Sequence, residues 1–189
     1  IASPDVSLAQ QSRLVRTLAV IDDEHARGEL LGMLDCPNRE LREHVLAALA
    51  RQSLPTQPRE LPQLLAQIDR ERADAIWLLQ QLGACRAQGD LSMLPPLREQ
   101  LAATRRRMLL LLQLSHDRDA MAQVRDRIAD RSAERRAYAL ELLDNLLQGE
   151  LKTRLLPLFD AQGEAATLDA LRVPAAEAQP AQQRRLQIE

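Results

Sequence analysis

The stretch "LLGMLDCPNRELREHVLAALA" at 30–50 is written again, with changes, as "VRDRIADRSAERRAYALELLD" at 124–144. Placing Arg42 over Arg136 aligns the two without a gap. Leu34 then meets Ile128, Val45 meets Ala139, Leu46 meets Leu140 and Leu49 meets Leu143. Each copy reads as the end of an apolar-periodic helix, a short break, and a second helix with its own apolar stripe. A lone pair of short helices cannot bury its apolar faces, so such a unit must stack on neighbours. This repetition constrains the fold more than any other feature: the chain must be built from packed helices.

Composition agrees. Hydrophobic residues make up 46 % of the 189 positions, enough for a core, but aromatic residues only 2 %. The core must be Leu, Ala, Val and Ile, which suits packed helices and supplies sheets poorly. Formal net charge is −2, which gives no bulk attraction toward nucleic acid or an anionic membrane. Cys36 and Cys85 are too few for a disulfide framework or a zinc module, and fit a reduced, cytoplasmic setting. The strongest apolar run, "MLLLLQL" at 108–114, is too short to cross a bilayer and reads as a central buried helix.

Helical periodicity runs along most of the chain. It predicts helices over 7–21, then from an Asp22 or Asp23 cap to 35, and over 39–52 after the "CPN" break. A proline-marked turn follows. Short helices are predicted over 60–68 and 71–84, with breaks at Gly83 and Gly89. Pro95 and Pro96 fit a first helical turn. Further helices are predicted over 104–114, 120–129, 133–147 and 151–160, with boundaries at Gly149 and Gly163. The first helices of successive pairs begin near 24, 60, 91, 120 and 151, an interval of roughly thirty residues, as in solenoids. The predicted fold is all-α, an irregular α-solenoid of about five helix pairs over 1–172. A linker and the start of a further helix follow over 173–189. The absence of an initial Met and the helix-like "AQQRRLQIE" at the end predict a segment of a longer chain.

The residues resemble HEAT repeats, including the HEAT-like repeats first grouped with phycobilisome lyases. The likeness lies in an apolar first helix, an acidic turn, and a second helix with an early Arg and an "A-x-x-A-L"-type core face. Asp35 and Arg42 with "VLAALA", and Asp130 and Arg136 with "AYALELL", carry it, although Asp130 sits one place off Asp35 in this register. The middle pairs, around 69–72 and 102–107, depart from the pattern. The resemblance implies that Asp35, Arg42, Asp130 and Arg136 bridge neighbouring repeats, and that Arg136→Ala destabilises the domain. A narrower resemblance covers about 105–160. It is to the HEAT-like region of large bacterial membrane proteins that join a transporter-like domain, a helical solenoid and often a cyclic-nucleotide-binding domain. That likeness implies a cytoplasmic module tethered to the inner membrane through its parent chain.

No set of residues spells out a reaction. His25, His44 and His116 have no second ligand at helical spacing, so no zinc site is predicted. Neither cysteine has a base beside it in sequence, and Lys152 lacks a preceding glycine-rich run. No cofactor is expected. Arg105, Arg106 and Arg107 form the one basic cluster; with Arg72 they are candidate contacts for a partner, on a face where Arg42, Arg72, Arg107 and Arg136 begin successive second helices. With three aromatics, stacking on bases is poorly supplied, so nucleic acid is not the expected partner. Trp77 is placed in the core. The functional expectation is a non-enzymatic scaffold that holds a protein, a peptide or a neighbouring domain of its own chain. The alternative is a phycobilisome-lyase-like protein that cradles a chromophore or its carrier.

Overall fold

The computed structural model describes residues 7–130, 132–160 and 163–172. They are helical throughout, with no strand among them. The expected linker over 173–189 lies outside the described residues. The chain forms two compact units. The first comprises Ile1–Glu71 with Arg106–Met121, the second Arg72–Arg105 with Ala122–Glu189.

The first unit holds α1 (Leu8–Leu18), α2 (Glu24–Gly32) and α3 (Arg39–Leu49). To these it adds the beginning of α4 (Leu61–Gln88), the end of α5 (Leu94–Ser115) and the first turn of α6 (Arg118–Ile128). Polar side chains start these helices by accepting from backbone N–H groups left over in the first turn. Ser7 opens α1 with a reciprocal capping box to Gln10. Asp23 accepts from the Ala26 N–H at 2.7 Å, and Asn38 from Leu41 at 2.9 Å. Asp23 is therefore the cap of α2. Asp22 instead accepts from the Ser53 N–H at 3.0 Å and from its hydroxyl. The core of this unit is aliphatic: Leu30, Leu34, Val45, Leu49, Leu64, Ile68, Met108, Leu111 and Leu112 are all at 2 % exposure or less. Each buried leucine contributes about 1.5–3 kcal/mol of transfer free energy. The "MLLLL" run is buried along its whole length.

The second unit holds the rest of α4, α5 and α6, then α7 (Ala133–Leu146), α8 (Gly149–Leu155) and α9 (Glu164–Arg172). Leu78, Leu82, Leu101, Val124, Ala139, Leu143, Leu158 and Leu171 form its core.

The middle of the chain differs from the expected pairs. The predicted helices 60–68 and 71–84 are one helix of 28 residues, and 91–114 is dominated by one of 22. No proline interrupts 63–88, and Gly83 lies exposed within α4. A single glycine costs a helix about 1 kcal/mol, too little to break one anchored by core contacts. The break comes at Gly89, whose φ of +74° ends α4. Trp77 is also misplaced by the sequence reading. Ala75, Leu78, Leu79 and Leu82 form the buried stripe of this part of α4. At ~100° per residue Trp77 falls on the far side, and 47 % of it is exposed.

Candidate functional site

The two copies of the repeated sentence become two helix–turn–helix hairpins, α2–α3 in the first unit and α6–α7, from Ala122 onward, in the second. Several bonds of their turns match. The Cys36 N–H donates to the Met33 carbonyl at 3.3 Å, and Asp130 to Arg127 at 3.1 Å. Asn38 caps α3 through the Leu41 N–H; Ser132 caps α7 through the Arg135 N–H at 3.4 Å. Each Arg then folds its guanidinium back onto the turn. Arg42 Nη1 donates to the Cys36 carbonyl at 3.0 Å, and Arg136 Nη1 to the Asp130 carbonyl at 2.9 Å. A guanidinium reaching six residues back satisfies a carbonyl that the turn leaves over.

Beyond the turn the copies diverge. In the first unit Arg42 is 1 % exposed and its Nη2 lies 3.3 Å from Glu71 Oε1. Arg107 grips the other oxygen of Glu71, at 2.8 and 2.9 Å, and stands 3.6 Å from Glu43. One buried carboxylate thus ties α3, α4 and α5 together. Burial lowers the pKa of Arg42, and Glu71 partly opposes that. A second clamp lies just before α4, where Arg27 holds Glu60, in the short 3-10 turn Pro58–Glu60, at 2.8–3.1 Å and also reaches the Thr56 hydroxyl at 3.0 Å. Burial pushes the Glu60 carboxyl up, yet the hydrogen bonds from Arg27 and the Gln57 backbone, with the Arg27 charge, hold it below its ordinary range. Between the clamps Gln67 donates to Asp35 at 2.9 Å and Gln63 to the Leu31 carbonyl at 2.9 Å. Asp35 and Arg42 therefore both reach the next helix.

In the second unit Asp130 and Arg136 both contact their own turn. Asp130 serves its own turn, accepting from the Ser132 N–H at 2.8 Å and from Arg135 at 3.0 Å. Arg136 is exposed, as is every residue from Ala133 to Tyr138. The Arg127 guanidinium stacks over the Tyr138 ring, 5.0 Å from its centre. These two line an open hollow of about 570 Å³ together with Asp126, Asp130, Glu134 and Arg135.

The expected basic cluster does not exist as one surface. Consecutive helical residues point ~100° apart. Arg105 donates to the Leu158 carbonyl at 2.8 Å, and burial lowers its pKa. Arg106 is exposed and pairs with Glu43 at 3.2 Å. Arg107 is buried on Glu71, which removes it from any contact surface. Arg72, half-buried, donates to the Leu171 carbonyl. Of these four, Arg106 alone presents its side chain outward. Nor do Arg42 and Arg107 begin a shared docking face, since both converge on one interior carboxylate.

Other candidates carry no assembled chemistry. His25 and His44 are exposed, and His116 Nδ1 lies 3.2 Å from the Leu112 carbonyl. No group of metal-ligating side chains occurs among the described residues. Both cysteines are free and half-buried, and burial pushes the Cys36 thiol up, away from the reactive thiolate. A second hollow, of about 420 Å³, lies in the first unit between the 50–57 loop and the 113–118 turn. Arg118 crosses it to donate to the Ala50 and Gln52 carbonyls, capping the end of α3.

The chain matches no protein-family model, no curated protein and no solved structure. What it does must therefore be argued from its own geometry. No helix among the described residues is long and apolar enough to cross a membrane.

Glu60 and Glu71 were missed in the sequence. Their signal was present: Glu60, Leu64, Gln67, Ile68, Glu71 and Ala75 share one helical stripe, so the acids stand inside a core face. Such a carboxylate needs a buried cation, and Arg27 and Arg42 precede it by 33 and 29 residues.

Proposed function

We propose that the chain is a non-enzymatic interaction module, an irregular solenoid of HEAT-like helix pairs that presents one hairpin to a protein or peptide partner. One observation carries the reading. The same hairpin occurs twice with the same turn geometry, but the first copy buries its Arg on its own Glu71 and the second leaves its Arg and its first helical turns at the surface. Repeat units bury their apolar faces on neighbours, so a copy left uncovered is a surface for another helix. The buried ionic side chains have structural partners within their unit, which supports a scaffold over a reaction centre. The resemblance of 105–160 to a transporter-linked solenoid supports placement as a regulatory cytoplasmic segment of a larger membrane protein.

The test is photo-crosslinking in the source cells from position 138, with position 44, exposed on α3, as comparison. A defined protein adduct formed from 138 and not from 44 is the expected result. Absence of any protein adduct from 138, together with saturable binding of a small molecule such as a linear tetrapyrrole, would overturn it. An immunoblot of membrane and soluble fractions tests the parent chain: the reading expects a membrane-bound band far heavier than 21.2 kDa.

A further inference from the structure

We propose that the hollow between the 50–57 loop and the 113–118 turn binds a small amphipathic acid, an apolar chain or ring that carries one carboxylate. The inference goes beyond the interaction-module reading and does not depend on it, since the hollow belongs to the first unit and Tyr138 to the second.

The hollow measures about 420 Å³, within the range of small-molecule sites. Leu49, Leu54, Pro55, Leu61 and Leu114 give its wall an apolar surface. Leu54 and Leu114 are only half-buried and Leu61 is 38 % exposed, so part of that surface is still uncovered. The wall also holds one permanent cation, Arg118, and no carboxylate is among the lining residues. His116, the other titratable group in the wall, can add only positive charge.

The sign of the ligand's polar group follows from which hydrogen-bonding groups are already used. The hollow lies at the C-terminal ends of α3 and α5, where helices leave carbonyls over. Those carbonyls already accept: Ala50 and Gln52 from Arg118, Leu112 from the Ser115 hydroxyl at 3.3 Å, and Leu114 from the Thr56 hydroxyl. Arg118 gives two of its five N–H groups to carbonyls. A carbonyl carries no net charge, so the guanidinium stands in the wall without a carboxylate bonded to it. Asp22 feels its charge, but that carboxylate accepts from the Ser53 N–H at 3.0 Å and from the Ser53 hydroxyl. Arg118 is half-buried, and a charge so placed is screened less than one on an open surface. A carboxylate entering the hollow meets a donor of opposite charge, while its apolar body covers the leucines. An amine would meet occupied acceptors and a like charge.

The probe is sodium decanoate, titrated below its micelle-forming concentration into the full 189-residue chain with labelled leucine methyl groups. Binding is followed by methyl NMR, and decylammonium chloride is the comparison of opposite charge. Saturable shifts are expected at Leu54, Leu61 and Leu114, with Leu143 and Leu158 of the second unit unmoved. Decylammonium should bind at least about ten-fold more weakly, the factor that one charge-assisted hydrogen bond supplies. Leu61→Glu sets an acid at the mouth and Arg118→Met removes the cation; each should weaken decanoate by at least about ten-fold. Arg118→Lys, which keeps the charge, should retain more affinity than Arg118→Met. Arg118 also caps α3, so melting temperatures identify the variants that remain folded, and Leu61→Glu, at an exposed position, decides the test should Arg118→Met unfold. Equal affinity for the two probes, shifts spread over both units, or no saturable binding overturns the inference. The crosslink from position 138 is a separate outcome, so this inference and the interaction-module reading can fail independently.

Discussion

Removing Glu71 should damage the first unit more than removing any surface acid. Its side chain is 1 % exposed and sits between two guanidinium groups that are themselves only 2 % and 3 % exposed, at 2.8 and 3.3 Å. Glu71→Ala leaves both cations buried, deprived of their shared counter-charge and repelling one another. Stripping one partner from a buried ion pair costs about 3–5 kcal/mol, and the cavity left by the side chain adds to that. Against a typical total of 5–15 kcal/mol this is a large fraction. Glu43, 29 % exposed beside Arg106 and Arg107, is the control, since a half-exposed pair is worth about 1 kcal/mol at most. Urea unfolding followed by circular dichroism measures both. The single Trp77 lies in the second unit, so its fluorescence reports separately on that half. The ellipticity transition should move far to lower urea in Glu71→Ala and little in Glu43→Ala. The companion test replaces Arg42, Glu71 and Arg107 together with Met, Leu and Met; this should recover most of the loss, because an apolar substitute for a buried ionic group is often neutral or better. Equal shifts for Glu71→Ala and Glu43→Ala would refute the reasoning.

Three further outcomes follow from the same geometry. Glu60 titrates below its ordinary range in the folded chain, so its contribution to stability is complete above the unfolded glutamate range and is lost as pH falls through the lower folded value; the urea midpoint of Glu60→Gln should therefore fall less steeply than wild type between neutral pH and acid. Asn38→Ala and Ser132→Ala each remove a helix cap and should cost about 0.5–2 kcal/mol, measured in the same titrations. Leu49→Ala and Leu143→Ala, fully buried at matched positions, should each cost about 2–5 kcal/mol.

Much of the fold was legible because it is local. The breaks at 36–38 and 130–132, their caps and the apolar stripes of α2, α3 and α7 depend on residues a few places apart, and the sequence writes them plainly. The helix starts near 24, 61, 94, 118 and 149 follow proline, glycine and capping residues for the same reason. The unbroken run of α4 was not legible, since charged residues at 69–72 look like a turn until Glu71 is known to be buried. The site was harder still. Arg42 and Arg136 occupy one place in the repeated sentence, and nothing within either copy tells them apart. Their difference lies about 29 residues further on, where one register holds Glu71 and the other Ala165. Arg105, Arg106 and Arg107 likewise look alike as a run and are separated only by the direction each points from α5.

The comparison that tests the account most directly is the melting temperature of Arg42→Ala against that of Arg136→Ala. The two arginines make the same bond to their own turn, and the account holds that only the first is also part of the folded interior. Arg42→Ala leaves Glu71 with one of its two buried partners and should lose about 3 kcal/mol or more, a fall of roughly 6–12 °C for a chain of this size. Arg136→Ala should stay within about 0.5 kcal/mol of wild type, as surface substitutions do. Equal falls would contradict the account, because both arginines would then count equally in the folded interior although one is buried and the other exposed.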